Sequence, residues 1–162
     1  MSRWHRLAHF KSKALVKVGD YVSPNTIVGH VGSTGHSTGP HVHHDGTYGK
    51  PNRWTQYRMG LTDKQLKNYY FDTEPWKNLV LPYPRLYLTS HHLVGQHVGC
   101  DLNVSPQDLG LPVYSPVYGR VQYVSGIMQV WSSKLRKFIN SDYNDGFGYF
   151  VWIEEDMSHP SV

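Results

Sequence analysis

The sequence has little of what holds many small exported proteins together or anchors them. It contains a single cysteine, Cys100, in 162 residues, so no internal disulfide can form. No apolar run is long enough to span a membrane, and the opening residues lack the apolar stretch of a signal peptide. We expect one soluble domain without a signal peptide. Host lysis or a virus particle would have to release it.

Charge is also scarce, since only 17% of the residues are charged. The balance is basic, with a net charge of +4 and a pI near 9.1, which favours anionic partners such as nucleic acid, a membrane surface or bacterial wall polymers. The excess is spread along the chain, and the only basic cluster lies at 134–137. Nucleic acid is therefore not specifically indicated, and we expect no nucleic-acid partner and no membrane insertion.

Glycine, proline and aromatic residues are plentiful, which favours strands and turns over a helical bundle. We predict a mainly β protein. Its one helix is expected at about residues 62–71, where Thr62 and Gln65 fit a capping box and Leu66 begins a helical apolar spacing. Residues 132–145 are expected to form a solvated hairpin tip, and residues 154–162 a frayed tail.

A histidine cluster ends the segment GHVGSTGHSTGPHVHHD, which covers residues 29–45. On a strand, side chains two residues apart share a face, so His41 and His43 should point together and His44 the opposite way. Two imidazoles directed into one space suggest a metal site, or one metal ligand beside one acid–base group.

His97 and Asp101, four residues apart, offer a second imidazole and a carboxylate. Alone this spacing is a weak signal. With His43 it makes a His2Asp set, three ligands that leave the fourth position of a zinc ion for water, as in open catalytic sites. His41 is a candidate for handling the proton, and His9, between apolar neighbours, is a second candidate.

Five blocks of the sequence carry a family resemblance: RLAHF, VKVGDYVSPNTIVGHVGSTGHSTGPHVHHD, HVGCDLNV, GLPVYSPVYGRVQYV and YFVWIE. Together they resemble the lysostaphin/LytM-type peptidoglycan endopeptidases. These are zinc enzymes with an HxxxD motif, a strand-rich middle, an AHL-like segment and a final GSTGxSTGPHxH block. The block that ends at Asp45 is the most specific of the five.

The resemblance implies an open, groove-forming antiparallel sheet and one zinc ion per site. It implies that His97, Asp101 and His43 are the zinc ligands. It also implies that His9 and His41 assist the water and stabilise the tetrahedral intermediate. The expected activity is hydrolysis of peptide stems or cross-bridges of bacterial peptidoglycan, as in a phage endolysin or a virion-associated tail lysin.

The order of the blocks departs from the family, because HxxxD comes first there and last here. This order predicts a circularly permuted single domain. Residues 1–45 would be the family's C-terminal half, 46–88 a connecting insertion with the short helix, 89–156 the family's N-terminal half and 157–162 a tail. Two chains exchanging halves, or contacts with virion tail proteins, are open alternatives.

Two rival functions stay open from the sequence. One is a non-catalytic structural or wall-binding module of the same fold in a phage tail. The other is a wall-binding module with an aromatic platform: Trp54, Tyr57, Tyr69, Tyr70 and Trp76. Cys100 is expected to be a packed small residue. The histidines without an assigned role are expected on the surface or in turns: His5, His30, His36, His44, His91, His92 and His159.

Overall fold

A computed structural model describes residues 1–52, 62–94, 97–105 and 107–162 of the chain. The described part is mainly β, as predicted, with two short α-helices and two 3-10 turns. The strands are β1 Arg3–Phe10, β2 Tyr21–Val22, β3 Ile27–His30, β4 Val42–Tyr48, β5 Tyr87–Ser90, β6 Cys100–Asn103, β7 Pro112–Tyr114, β8 Gly119–Val124, β9 Met128–Ser132, β10 Lys137–Ser141 and β11 Tyr149–Glu155. The helices are α1 Asp63–Tyr69 and α2 Lys77–Val80, and the 3-10 turns are Glu74–Trp76 and Asn144–Gly146.

Seven strands form one sheet in the order β2-β8-β11-β1-β4-β6-β5, and each neighbouring pair is antiparallel. Strand β1 lies in the middle, between β11 and β4. The pairing joins β1 and β11, the two strands that come first and last in the described chain. Two smaller sheets, β3–β7 and β9–β10, complete the β structure.

Alternation along the strands gives the large sheet two different faces. One face, the core face, carries Leu7, Leu102 and Val151 in the main hydrophobic cluster. The opposite face, the groove face, carries Trp4, Ala8 and Trp152 in a separate buried cluster, together with the polar residues of the candidate site. The sheet therefore separates a closed hydrophobic core from a functional face.

The predicted helix is confirmed as α1, with both hydrogen bonds of the Thr62–Gln65 capping box in place. It is shorter than expected, because Tyr70 has extended backbone angles and is the C-cap. Leu66 and Tyr70 pack with Val98, which ties the helix to the domain. No helix in the described ranges has the length and apolarity needed to cross a bilayer.

The expected frayed tail is wrong at its beginning, since Glu154 and Glu155 belong to β11 and Glu155 is buried. The aromatic platform is also wrong in part. Tyr70 and Trp76 are buried and Tyr69 is exposed, so these rings present no common surface. Trp54 and Tyr57 lie outside the described residues.

Two histidines expected at the surface, His5 and His44, are fully buried on the core face. His5 Nδ1 lies 3.0 Å from His44 Nε2, and His5 Nε2 lies 3.1 Å from a carboxylate oxygen of Glu155. Because the carboxylate can only accept, His5 donates from Nε2, and its Nδ1 accepts from His44. The strand parity of His44 was predicted correctly, but its burial was not. Arg3, which is partly exposed, also binds Glu155, so a chain of four polar residues runs from the buried His44 to the surface.

Candidate active site

Strand register brings the predicted metal ligands together. His43 on β4 lies opposite Asp101 on β6, and the His43 Nδ1 to Asp101 Oδ1 distance is 2.8 Å. His97 Nε2 lies 3.3 Å from the same oxygen. One ligand atom from each of the three residues falls within 4.8 Å of the others. Residues 58 positions apart in the sequence thus converge on one point.

The donor set fits a zinc ion. Two imidazoles and one carboxylate are ligands that zinc prefers in open catalytic sites. Ligand atoms about 2.0–2.1 Å from a tetrahedral zinc lie roughly 3.3 Å from one another. The separations of 2.8 and 3.3 Å between these donor atoms are close to that spacing. His43 is buried, and His97 and Asp101 are partly exposed toward the cavity, which leaves the point of convergence accessible.

The charge on Asp101 is stabilised within this cluster. Burial alone would raise the pKa of its carboxyl, but hydrogen bonds from His43 and His97 outweigh burial and hold the pKa well below its usual range. For His43, burial lowers the pKa, and the hydrogen bonds to Asp101 and Asp45 more than compensate, so the net shift is upward. The site is thus arranged around a permanent negative charge.

The second ring nitrogen of His43, Nε2, is hydrogen-bonded to a buried carboxylate. This nitrogen lies 2.9 Å from Asp45 Oδ2, and Asp45 is fully buried. Asp45 in turn accepts two hydrogen bonds from Arg6, at 3.1 and 2.7 Å, in a buried ion pair. The Arg6 guanidinium stacks over the ring of Phe147, 3.4 Å from its centroid. This layer fixes the orientation of His43 and keeps a proton on Nε2, so a metal that displaced the proton between Nδ1 and Asp101 would bind at Nδ1.

Asp45 and Arg6 are the functional residues that the sequence reasoning missed. A signal for Asp45 was present, because it follows His43 by two residues on one strand and must therefore share its face. Arg6 could not be found in that way, since its link to Asp45 depends on the pairing of β1 with β4, where the two residues are direct partners.

His9 reaches the groove through an irregularity in β1. Between Leu7 and Phe10 the register with β11 shifts, and His9 has a positive φ of 66°. Strict alternation would turn its side chain toward the core face. The bulge redirects it into the cavity, a common use of bulges beside active sites.

The protonation of His9 follows from its surroundings. Its Nδ1 lies 2.7 Å from the carbonyl oxygen of Thr34, which can only accept, so Nδ1 carries the proton and Nε2 is the free acceptor. Burial, with the charges of His41 and His43, lowers its pKa to about 4. His9 is therefore neutral at pH 7 and can take up a proton.

His41 stands beside His9, with the two ring centroids 4.8 Å apart. Its Nδ1 donates to the carbonyl oxygen of Gly39 at 2.8 Å, and its Nε2 lies 3.6 Å from an oxygen of Asp101. His41 and His43 share a face, as predicted. The structure thus brings all five predicted site residues into one cluster.

The cluster lines an open cleft of about 540 Å³. The loop that carries Ser37 and Thr38 forms one wall, and Tyr143 and Phe147 belong to the other. His36, for which no role was predicted, also lines the cleft. A close fit holds the two walls together, because a Cβ at Gly35, which has a φ of 75°, would lie 2.4 Å from the backbone nitrogen of Gly148.

Comparison with known protein families gives one match. Residues 2–52 match the model described as Peptidase family M23. The match includes His9, His41 and His43 and supports a peptidase of the LytM type, whose members are metallopeptidases. No curated protein and no solved structure matches the chain.

Proposed function

We propose that this chain is a zinc-dependent endopeptidase that hydrolyses peptide stems or cross-bridges of bacterial peptidoglycan. The observation that carries the proposal is the convergence of His43, His97 and Asp101 in an open cleft, beside two histidines with free acceptor nitrogens. The match of residues 2–52 to a peptidase family supports the same chemistry.

In this proposal His43 Nδ1, His97 Nε2 and a carboxylate oxygen of Asp101 hold the zinc ion. When bound, zinc would supply the Lewis acidity that activates water and polarises the scissile carbonyl. Asp45 keeps the proton on Nε2 of His43 and so presents Nδ1 as the ligand. The Arg6 ion pair keeps Asp45 ionised, since the charge of Arg6 and the hydrogen bond to His43 outweigh the effect of burial on its pKa.

His9 and His41 handle the proton and the developing charge. Both rings donate from Nδ1 to a backbone carbonyl, which fixes their orientation and leaves Nε2 as the acceptor. One ring takes the proton of the attacking water and later gives it to the leaving amine, while the other, carrying a proton taken up from solvent on Nε2, donates a hydrogen bond to the oxyanion. The new C–O bond forms and the C–N bond breaks, and the proton taken from the water ends on the leaving amine.

We further propose that the chain is a circular permutation of the family domain. Antiparallel pairing of β1 with β11 supports this, because the two strands that would be joined in the family's order are neighbours. The proposed insertion of residues 46–88 begins in β4 and ends in β5, and both strands belong to the large sheet. A single chain supplies all five site residues, which supports a site that is complete without a partner chain.

The charge of the chain bears on the substrate class and the setting. The net charge of +4 suits an anionic bacterial wall. We propose that the chain acts on this wall as a phage-borne lytic factor, either an endolysin or a component of a virion tail.

The test combines metal analysis with digestion of purified peptidoglycan. We expect one zinc ion per chain, release of new amino groups from the peptidoglycan, and loss of both after treatment with a chelator. His43→Ala should lose zinc and activity while the protein stays folded.

Release of amino groups that persists in metal-free protein or in His43→Ala would contradict the assignment. Zinc binding without cleavage of walls with glycine bridges or with diaminopimelate stems would instead favour the non-catalytic module.

A further inference from the structure

Several exposed apolar side chains lie together on the hairpin β9–β10, which forms a two-stranded sheet of its own. We call residues 127–141 the basic hairpin. Both strands are exposed along most of their length, with Trp131 at 59% and Phe138 at 65% relative exposure. These two rings are cross-strand partners and pack edge to face with centroids 5.3 Å apart. Leu135, at the turn, is also exposed.

The same tip is strongly basic. Lys134, Arg136 and Lys137 lie in or beside the turn, and no acidic residue occurs between Gly126 and Ser141. All three cations are exposed, and none of the ion pairs between described residues involves them. The hairpin therefore presents apolar side chains and unpaired positive charges at one end.

An isolated two-stranded hairpin with two exposed faces is marginally stable in water. Large exposed apolar side chains of this kind usually mark a surface that becomes covered. The covering partner must accept aromatic and aliphatic groups and must carry negative charge. An anionic lipid surface does both, because Trp and Leu enter the interface while Lys and Arg contact the headgroups.

Two details favour a lipid surface over a polysaccharide. The planes of Trp131 and Phe138 are inclined at 73°, so the rings do not make the flat platform on which sugar rings stack. Exposed aliphatic side chains at Ile127, Val130 and Leu135 need a hydrocarbon environment that sugars do not offer.

We propose that the basic hairpin docks this protein on the surface of anionic phospholipid membranes. Trp131, Leu135 and Phe138 would lie at the interface, a peripheral contact that is distinct from the membrane insertion excluded by the sequence. The cations Lys134, Arg136 and Lys137 lie at the level of the headgroups. This function is separate from peptide hydrolysis, since none of these six residues lines the catalytic cleft. It would hold the protein beside the membrane.

The experiment measures binding of the full chain to lipid vesicles by co-sedimentation. Vesicles of phosphatidylglycerol with phosphatidylcholine are compared with vesicles of phosphatidylcholine alone. We expect binding to the anionic vesicles only, weakening as salt rises. The variant Lys134→Gln/Arg136→Gln/Lys137→Gln removes three positive charges. Each charge near an anionic surface raises the affinity about fivefold, so this variant should bind the vesicles on the order of a hundredfold more weakly. Trp131→Ser/Phe138→Ser should lose binding at least tenfold.

Matched controls carry the same changes elsewhere on the surface. Lys17→Gln/Lys64→Gln/Lys67→Gln removes three exposed cations, and Tyr69→Ser/Tyr87→Ser removes two exposed aromatic rings. The aromatic control should bind like the parent chain, and the lysine control should lose less than the hairpin triple variant. Circular dichroism verifies that every variant is folded.

Absence of vesicle binding by the parent chain would overturn the proposal, as would equal binding by the hairpin variants. If the lysine control weakens vesicle binding as much as the hairpin triple variant does, net charge alone is responsible for binding, and the proposal is contradicted. If the hairpin variants instead change the sedimentation coefficient of the free protein, the hairpin is an interface between copies. Binding to isolated wall polymer without binding to vesicles would also contradict a lipid surface.

Discussion

The two faces of the central sheet carry similar sets of residues with different consequences. On the groove face, His43, Asp45 and Arg6 form a buried polar chain. On the core face, His44, His5 and Glu155 form another, which the partly exposed Arg3 ends. His43 and His44 are adjacent in the sequence. The groove-face chain ends at an open cleft where two more candidate metal ligands converge, and the core-face chain is closed by Phe71 and Trp76.

The surroundings separate the two histidines electrostatically. Two carboxylates flank His43 and raise its pKa despite burial. His44 is desolvated by burial and faces another imidazole, so its pKa falls well below the usual value. A histidine in this sheet thus becomes a candidate metal ligand when its face of the sheet also carries carboxylates and borders an open cleft. Burial and sequence position alone do not decide it.

The largest difference between the two faces is expected at β6, where Asp101 and Cys100 are neighbours on opposite faces. Asp101→Asn removes a charged ligand and should weaken zinc binding by more than about a hundredfold, beyond the usual effect of an outer partner. Cys100→Ala should leave zinc affinity unchanged and cost about 1 kcal/mol of stability. Competition with a chromogenic chelator measures both. Equal zinc loss in the two variants would show that the faces are not independent.

The second difference between the faces concerns the carboxylates that contact the histidines, Asp45 beside His43 and Glu155 beside His5. Asp45→Asn keeps the shape of the side chain but removes the charge beside His43, and we expect zinc affinity to fall about 10–100-fold. Glu155→Gln makes the corresponding change on the core face. It should lower the free energy of unfolding by about 1–3 kcal/mol and leave zinc affinity unchanged. Chelator competition and urea unfolding separate the two outcomes. A Glu155→Gln protein with weakened zinc binding would contradict this division.

The smallest effect is a difference in pH dependence. Burial lowers the pKa of His5 and His44 below 6.5 in the folded protein. The unfolded chain therefore takes up protons first as the pH falls below about 6.5. The metal-free protein should lose stability there, by up to about 1.4 kcal/mol per pH unit for each histidine.

His44→Gln removes one of these groups while retaining a donor toward His5. Its loss of stability between pH 7 and pH 5 should be smaller than that of the parent chain. Urea unfolding at several pH values provides the measurement. Identical slopes in the two proteins would mean that His44 does not titrate differently on unfolding.

Much of the candidate site could be predicted because its signals are local. Two-residue spacing put His41 and His43 on one face, and the capping box located α1. The burial of Cys100 was also expected, and burial raises the pKa of its thiol to about 11, which makes it a poor nucleophile. These features depend on residues within a few positions of one another.

The remaining features depend on register and irregularity, which local patterns do not encode. The bulge at His9 reverses the face that alternation assigns to it. The burial of His5 depends on Glu155, 150 positions away, and the role of Arg6 depends on its pairing with Asp45. Histidine is polar enough to be expected at the surface, and only a distant carboxylate partner makes its burial favourable.

The central position of β1 has a consequence for how the chain folds. Its hydrogen-bonding partners are β4, which is nearby, and β11, whose Glu155 is 152 positions from Arg3. During synthesis β1 leaves the ribosome before β11, so one edge of β1 stays unpaired until the intervening residues have been made. Such long-range pairing is slow and leaves an aggregation-prone strand exposed. The yield of folded protein should therefore depend on protecting β1 until β11 has been made. Additional chaperone or slower induction of expression should raise that yield.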